Sequence, residues 1–470
     1  MRAIADTLAL SFQTRSARTR SGWDAFYLAR DGFLHEQLRR RGAGFPFGTY
    51  RAPDGHTVET TLTVADLRQH ALVLGATGTG KSTLLELLAR ANVDRGQPFA
   101  LVDLHGDLFT RVHAWLVAAR VPAVRVVDFT QPETLPAWNP LARMPDVDVG
   151  RQVDLVIGVL KRLYAAEVAS SWAWGVKIEE LSRYAVRAAI ESQASIALAD
   201  LPAFFLLPAI RARVLATASA ETRAYFLTRF GPREQMYVSA VLNKLEPFLG
   251  STAVQRFLGG GTSSLDLLSV MDRGEILLVN LAKGYLGPTA DVMGRLLVNA
   301  LQVAALRRER LAFRSRRPYA LLLDEAHVLA ASESGLEDFL VAARKYRVAV
   351  TLAAQGLSLF PPSFRPHLLG NTGRQFFFRM PYGEARTLAP DLFEPRGDMW
   401  RDAVRPYDDV ASDPLLTGSE ELTARTRELA NLPVGDCYWL LKGRPYKARR
   451  IRVRPDRNRR SRWSATRTEP

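Results

Sequence analysis

The stretch Gly75-Ala76-Thr77-Gly78-Thr79-Gly80-Lys81-Ser82-Thr83 fits G-x-x-x-x-G-K-[ST], a spacing that cradles phosphate. Its glycines let consecutive backbone N–H groups curl around an anion, and the helix that starts here adds its partial positive charge. Lys81 is then set to reach the β- and γ-phosphates of ATP, and Ser82 to hold Mg2+. A dinucleotide loop is a poor rival, because Gly78-x-Gly80 runs into Lys-Ser-Thr and not x-x-Gly. Such a loop must be completed by an acidic strand end, which Tyr319-Ala-Leu-Leu-Leu-Asp324-Glu325-Ala-His327 supplies. Asp324 is placed to hold the water shell of Mg2+. Glu325 points elsewhere, as a base that orients and deprotonates attacking water must. Gln355 ends a further apolar run and is a candidate sensor of the γ-phosphate. Arg374 and Arg379 bracket Phe376, Phe377 and Phe378; Arg379 in particular could stabilise transition-state charge in a neighbouring subunit. Asp103-Leu-His105-Gly106-Asp107 adds two acids and a histidine near the nucleotide. The seven histidines are scattered, with no H-E-x-x-H or Cys/His cluster to ligate a metal.

These residues need elements to hold them. Short apolar runs recur at Ala71–Leu74, Phe99–Asp103, Val124–Asp128, Ile276–Asn280, Ala320–Asp324, Val348–Leu352 and Gln375–Arg379. Strands alternating with helical stretches predict an α/β fold, a mostly parallel sheet with helices on both faces. The alternation stops between 146 and 262, where Val153–Tyr164, Val176–Ile190, Ile210–Ala220 and Val238–Phe248 read as successive helices. We therefore expect a core in two parts, 61–145 and 263–453, around an all-helical insertion at 146–262 that exits through Gly259-Gly-Gly261. Residues 1–60 form a basic N-terminal segment with no assigned fold, and 454–470 a basic tail expected to be disordered.

Composition narrows the function class. A chain of 470 residues with 47 % hydrophobic content is globular and large enough for two or three domains. A single cysteine, Cys437, rules out an intrachain disulfide and suits a reducing compartment. No run reaches the ~18–20 apolar residues of a membrane span, and the N-terminus lacks the apolar centre of a signal peptide. The chain thus reads as soluble and cytoplasmic. The net charge of +15 sits at the ends: +9 over 443–470 and +4 over 1–48 leave a nearly neutral centre. Basic ends suit a polyanion, with nucleic acid first and an anionic membrane surface second. With 55 arginines against 8 lysines, a biased base composition of the gene is the bland explanation of the same charge.

Taken in order, Gly75–Thr83, Asp103–Asp107, Leu323–His327, Ala353-Ala-Gln355 and Asn371 to Arg379, around a helical insertion, resemble the FtsK/HerA superfamily of ring-forming DNA pumps. The best match is to the type IV secretion coupling ATPases of conjugative elements. Val241–Phe248, Ser264–Ser269 and Gly274–Gly284 resemble the join between their helical domain and core. The resemblance spans about residues 60–450. It implies a RecA-like core, a helical domain facing the transported strand, and a homohexamer with active sites between subunits. It also implies DNA as partner, with a relaxase or secretion-channel components, and a location in the cytoplasm or at the inner face of the membrane. Lys81, Ser82, Asp324, Glu325, Gln355 and Arg379 match the superfamily's functional positions. Membrane-bound coupling proteins carry N-terminal transmembrane helices that this sequence does not show, which bears on the channel role and not on the motor. An ATP-driven DNA translocase is therefore expected. A protein-translocating ATPase of the same superfamily and a nucleotide-switched DNA-binding scaffold are the alternatives, and a retained Glu325 argues against the scaffold.

Overall fold

The computed structural model describes residues 44–51, 56–165, 175–194, 196–260, 263–329, 336–393, 418–442 and 448–454. The N-terminal segment up to residue 43, the basic tail beyond Arg454 and part of the glycine joint lie outside them. Among the described residues eleven strands are formed: β1 (Phe45–Arg51), β2 (Thr57–Leu62), β3 (Ala71–Leu74), β4 (Phe99–Asp103), β5 (Val124–Asp128), β6 (Ile276–Asn280), β7 (Tyr319–Leu323), β8 (Val348–Ala354), β9 (Arg374–Phe378), β10 (Asp436–Leu441) and β11 (Arg449–Val453). The chain divides into two compact units, one of residues up to Gly96 and from Thr351 onward, the other from Gln97 to Val350.

In the first unit the strands run in the order β2-β1-β11-β10-β9-β3-β8. β3 is central to the phosphate loop. All four of its residues are buried and apolar, as a strand packed on both faces requires. It pairs in parallel with β8, Val73 opposite Ala353, and with β9, Val73 opposite Phe376. Beyond β9 every pairing is antiparallel: β10 with β9, β11 with β10, β1 with β11, and β2 with β1. Phe47, Phe376 and Trp439 lock this edge; Trp439 stacks on Phe376 at 6.2 Å and meets Phe47 edge-on at 5.2 Å.

In the second unit the order is β7-β4-β6-β5, and the pairings of β4 and β6 with their neighbours are parallel. Register places Asp103, Asn280 and Asp128 side by side at the C-terminal ends of β4, β6 and β5. Between β5 and β6 the described residues form helices, chiefly Val149–Ala165, Val176–Glu191, Pro208–Leu215, Ala220–Thr228, Pro232–Leu249 and Thr252–Leu258. A single helix over Ile210–Ala220 does not form. The helix ends at Leu215, and Ser219 caps a new one by accepting from Thr222 N at 3.3 Å. Glu191 fixes the break, accepting from Ser219 N at 3.0 Å and from the Thr222 hydroxyl at 2.8 Å. Among the described residues no helix is long and apolar enough to cross a membrane.

The helix Thr289–Arg307 packs against the short helix Ala326–Leu329 that follows Asp324 and Glu325. Their contact is made at Gly294, where a Cβ would stand 2.4 Å from Leu329 Cδ2 and 2.7 Å from Leu281 Cδ1. Gly294→Ala should overpack this contact and cost about 1–3 kcal/mol. Equilibrium urea unfolding checks it, with an unchanged midpoint as the contrary result.

Candidate phosphate site and acidic strand end

The phosphate loop joins β3 to the helix Lys81–Asp94 within the first unit. That helix follows from Leu84, Leu85, Leu87 and Leu88, which are buried, on a run of strong helix formers. Its first turn carries no side-chain cap. The residue before it, Gly80, has φ +119°, a backbone state that L side chains rarely adopt. The leading amide groups of the helix are therefore left to an anion, as phosphate binding requires. Gly75 is needed for a different reason: a Cβ there would come within 2.5 Å of Phe378 Cβ.

Neighbouring strand ends suspend the loop. Gly75 N donates to Ala354 O at 3.2 Å, and Ala76 N to Arg379 O at 2.8 Å. Gly435, just before β10, donates its N–H to Thr79 O at 2.9 Å. Inside the loop, Thr79 Oγ1 donates to Ala76 O at 2.8 Å. Lys81 Nζ donates to Gly75 O at 2.7 Å and Ala76 O at 3.1 Å; the side chain is largely buried. An ammonium in such a place must be satisfied, and these carbonyls hold it beside the loop's mouth. Ala76 and Ser82 are half-buried, while Thr77 and Gly78 are exposed.

The same suspension brings Gln355 and Arg379 to the loop. Gln355 follows Ala354 and is exposed. Arg379 follows β9, and its side chain is likewise exposed. Arg374 stands at the opposite end of β9 and is 2 % exposed. It donates from Nη2 to Gln69 O at 3.0 Å, and burial pushes its guanidinium down to about 10. Of the two arginines bracketing the phenylalanines, only Arg379 is available to a neighbour.

In the second unit β7 ends at Leu323, one residue earlier than its apolar run suggests, and delivers Asp324 and Glu325 into a turn. Asp324 is 8 % exposed; its N–H donates to Val102 O at 3.1 Å, and its Oδ1 accepts from Glu325 N at 3.0 Å. Glu325 has φ +47°, uncommon for a residue with a side chain. Its Oε2 lies 3.4 Å from His327 Nδ1. Asp103 is tied to the backbone that follows it. It is buried, accepts from His105 N at 3.0 Å and Phe109 N at 2.8 Å, and so holds the start of the helix Asp107–Ala118. Beside it, Asn280 Nδ2 donates to Asp128 Oδ1 at 2.8 Å and Asn280 Oδ1 accepts from Ala282 N at 2.9 Å. His105 and Asp107 are exposed.

Sequence reasoning missed Gly435, Asn280 and Glu384. The last sits in the first turn of the helix Tyr382–Leu392, just beyond Arg379. Its carboxylate accepts from Leu357 N at 2.9 Å and Ser358 N at 3.1 Å, pinning the chain that follows Gln355. A lone glutamate early in a helix carries no motif, so only the tertiary contact reveals it.

A family model described as "Helicase HerA, central domain" matches residues 46–133. No curated protein matches the chain. Among solved structures, the bacterial conjugative coupling protein TrwB, as its unbound deltaN70 form, is similar over 90 % of this chain and 92 % of its own, at 16 % identity and TM-score 0.60. TrwB in complex with ADP and Mg2+ is similar over 89 % and 92 %, at 17 % identity and TM-score 0.59. VirB4 of Thermoanaerobacter pseudethanolicus is similar over 88 % and 97 %, at 12 % identity and TM-score 0.56. At these identities the likeness is one of fold: the α/β architecture that the alternating runs predict, of the RecA-like kind that the resemblance implies. The family model over residues 46–133 and the shared fold agree with the FtsK/HerA resemblance carried by the motifs.

Glu384→Ala should release the amides of Leu357 and Ser358, which now bond to a charged acceptor worth about 1.5–3 kcal/mol. Hydrogen exchange in residues 356–360 should speed by about tenfold or more while β3 stays protected. Unchanged exchange in that segment would contradict the assignment.

Proposed function

We propose that this protein hydrolyses ATP and uses the energy to move DNA, as a homohexameric ring in a conjugation-like transfer process. The observation that carries the reading is the uncapped helix start behind Gly80, with Lys81 held at its mouth. It fits a polyphosphate, and the TrwB structures with ADP and Mg2+ or with the ATP analogue ADPNP lend support from a protein of the same fold. The loop Gly75–Thr83 receives the phosphates, with Lys81 against the β- and γ-phosphates. Ser82 and Asp324 are the residues that would hold Mg2+, which neutralises phosphate charge when bound. Glu325 takes the proton of the attacking water. The water oxygen bonds to the γ-phosphorus as the bridging bond to ADP breaks, and phosphate leaves. Gln355, next to the strand end that holds Gly75, reports whether the γ-phosphate is present. Arg379, exposed beside the loop, serves the site of the adjacent subunit.

On this reading residues 146–262 act as an all-helical insertion domain between the core parts 61–145 and 263–453. The basic ends, which hold most of the +15 charge, engage the DNA backbone. Relaxase or secretion-channel components complete the assembly at the cytoplasmic, inner face of the membrane. DNA-stimulated ATP hydrolysis by the full chain is the experiment. Hydrolysis stimulated by a secreted protein and not by DNA points to a protein pump instead. Binding of DNA without turnover points to a scaffold.

Glu325→Gln should bind ATP and lose hydrolysis, because an amide fits the space and cannot take the proton, whereas Lys81→Ala should weaken ATP binding itself. Single-turnover hydrolysis alongside equilibrium nucleotide binding separates the two, and wild-type turnover in Glu325→Gln would remove Glu325 from its role.

Arg379→Ala should bind ATP normally and hydrolyse it slowly, by a factor on the order of 10³. Mixed with Lys81→Ala subunits it should regain activity, since some interfaces then pair an intact loop with an intact arginine. No recovery in rings shown to mix counts against action between subunits.

A further inference from the structure

We propose that His327 is the positioning residue for the Glu325 carboxylate. The proposal rests on the reading of Glu325 as the base and adds a residue to which no role has been given. Its Nδ1 stands 3.4 Å from Glu325 Oε2, and the two side chains are only 19 % and 12 % exposed. The pair does not meet hydrogen-bond geometry as it stands, yet catalytic hydrogen bonds are often long or poorly aligned before substrate arrives and tighten once it is bound. An Nδ1–H that donates to Oε2 fixes the carboxylate plane. The direction in which Oε1 faces is then set by the imidazole and not by free rotation about the terminal bond.

Two features of the surrounding chain make such an anchor necessary and possible. Glu325 is held in the left-handed region at φ +47°, where a residue with a Cβ loses about 1–2 kcal/mol. Asp324 Oδ1 helps to hold that backbone by accepting from Glu325 N at 3.0 Å. Strain of this kind persists where surrounding structure over-determines it, and such places are often functional. His327, for its part, lies on a backbone with little room to move. Arg295 Nε donates to Val328 O at 2.9 Å, and Leu329 is pressed against Gly294. The short helix Ala326–Leu329 is thereby clamped to the longer helix behind it, and the imidazole has a fixed base from which to reach Oε2. A histidine that only filled space would do as well replaced by an apolar residue of similar size. One that orients the base needs a donor at the place of Nδ1.

The test measures ATP turnover and ATP binding by the full chain for wild type, His327→Leu, His327→Asn, His327→Gln and Glu325→Gln. The asparagine amide sits where Nδ1 does, and the glutamine amide lies further out, near the place of Nε2. His327→Leu should lower kcat by about tenfold or more with KM and ATP affinity unchanged, and His327→Asn should restore most of it. His327→Gln should not. If the leucine variant fails to fold, the asparagine and glutamine variants decide: equal kcat in both overturns the proposal. Loss of turnover in Glu325→Gln with full kcat in His327→Leu overturns the proposal and leaves the base in place. Turnover retained by Glu325→Gln, or none in the wild type, overturns the reading of the site and the proposal with it.

Discussion

The first unit depends on how nine residues of loop are suspended from three strand ends. Gly75 and Ala76 hang by backbone hydrogen bonds from Ala354 and Arg379, and Thr79 accepts from Gly435. The loop's shape is thus not a local property of its glycines. It is imposed by β8, β9 and the entry to β10, which come from the far end of the sequence. One consequence is energetic. The Lys81 ammonium is carried into a buried place by the helix, where the desolvation cost is met by the carbonyls of Gly75 and Ala76. Phosphate oxygens are stronger partners for an ammonium than neutral carbonyls, so an exchange of partners favours the bound state. A second consequence is functional. The same bonds that hold the loop place Gln355 and Arg379 beside it, and Glu384 ties the chain after Gln355 to the helix after Arg379. A hydrogen-bonded turn thus links the segments that carry the two residues.

The second unit shows why an acid at a strand end is not by itself a catalyst. Asp103, Asn280 and Asp128 stand in register at the ends of three parallel strands. The chain leaving each strand turns sharply and exposes N–H groups that need acceptors. Asp103 serves His105 and Phe109, Asn280 serves Ala282, and Asp128 takes up Asn280 and Thr130. All three are spent on structure. Asp324 and Glu325 have different partners: Asp324 Oδ1 accepts from Glu325 N, whereas Glu325, with its left-handed backbone, places Oε2 near His327 Nδ1.

Much of this was legible in the sequence, for a physical reason. Strands buried on both faces read as unbroken apolar runs, so Ala71–Leu74, Phe99–Asp103 and Ile276–Asn280 emerge with their observed limits, as does the edge strand Val124–Asp128. The glycine spacing of the loop likewise maps onto its backbone, with left-handed Gly78 and Gly80. The antiparallel edge was hidden. β1 contains Pro46 and Gly48, which weaken any strand signal, and β11 alternates arginines with Ile451 and Val453, so charge masks its period. Arg450 and Arg452 pair with Asp436 on the adjacent strand, and Arg450 also with Glu428 of the helix Gly418–Ala430, pairings that no local pattern announces. The contacts of Asp103 were hidden for a related cause. Motif reading sees a carboxylate beside a histidine and cannot see the two amide groups that consume it.

The central claim is that the loop after β3 receives the phosphates of ATP because Gly80 opens the helix without a side chain. Calorimetric titration of the full chain with ATP and Mg2+, for wild type and Gly80→Val, tests it most directly. A β-branched residue at φ +119° cannot keep this backbone, so the variant should fold as wild type elsewhere and lose ATP binding. Equal binding by wild type and a folded Gly80→Val protein would show that the phosphates are held elsewhere.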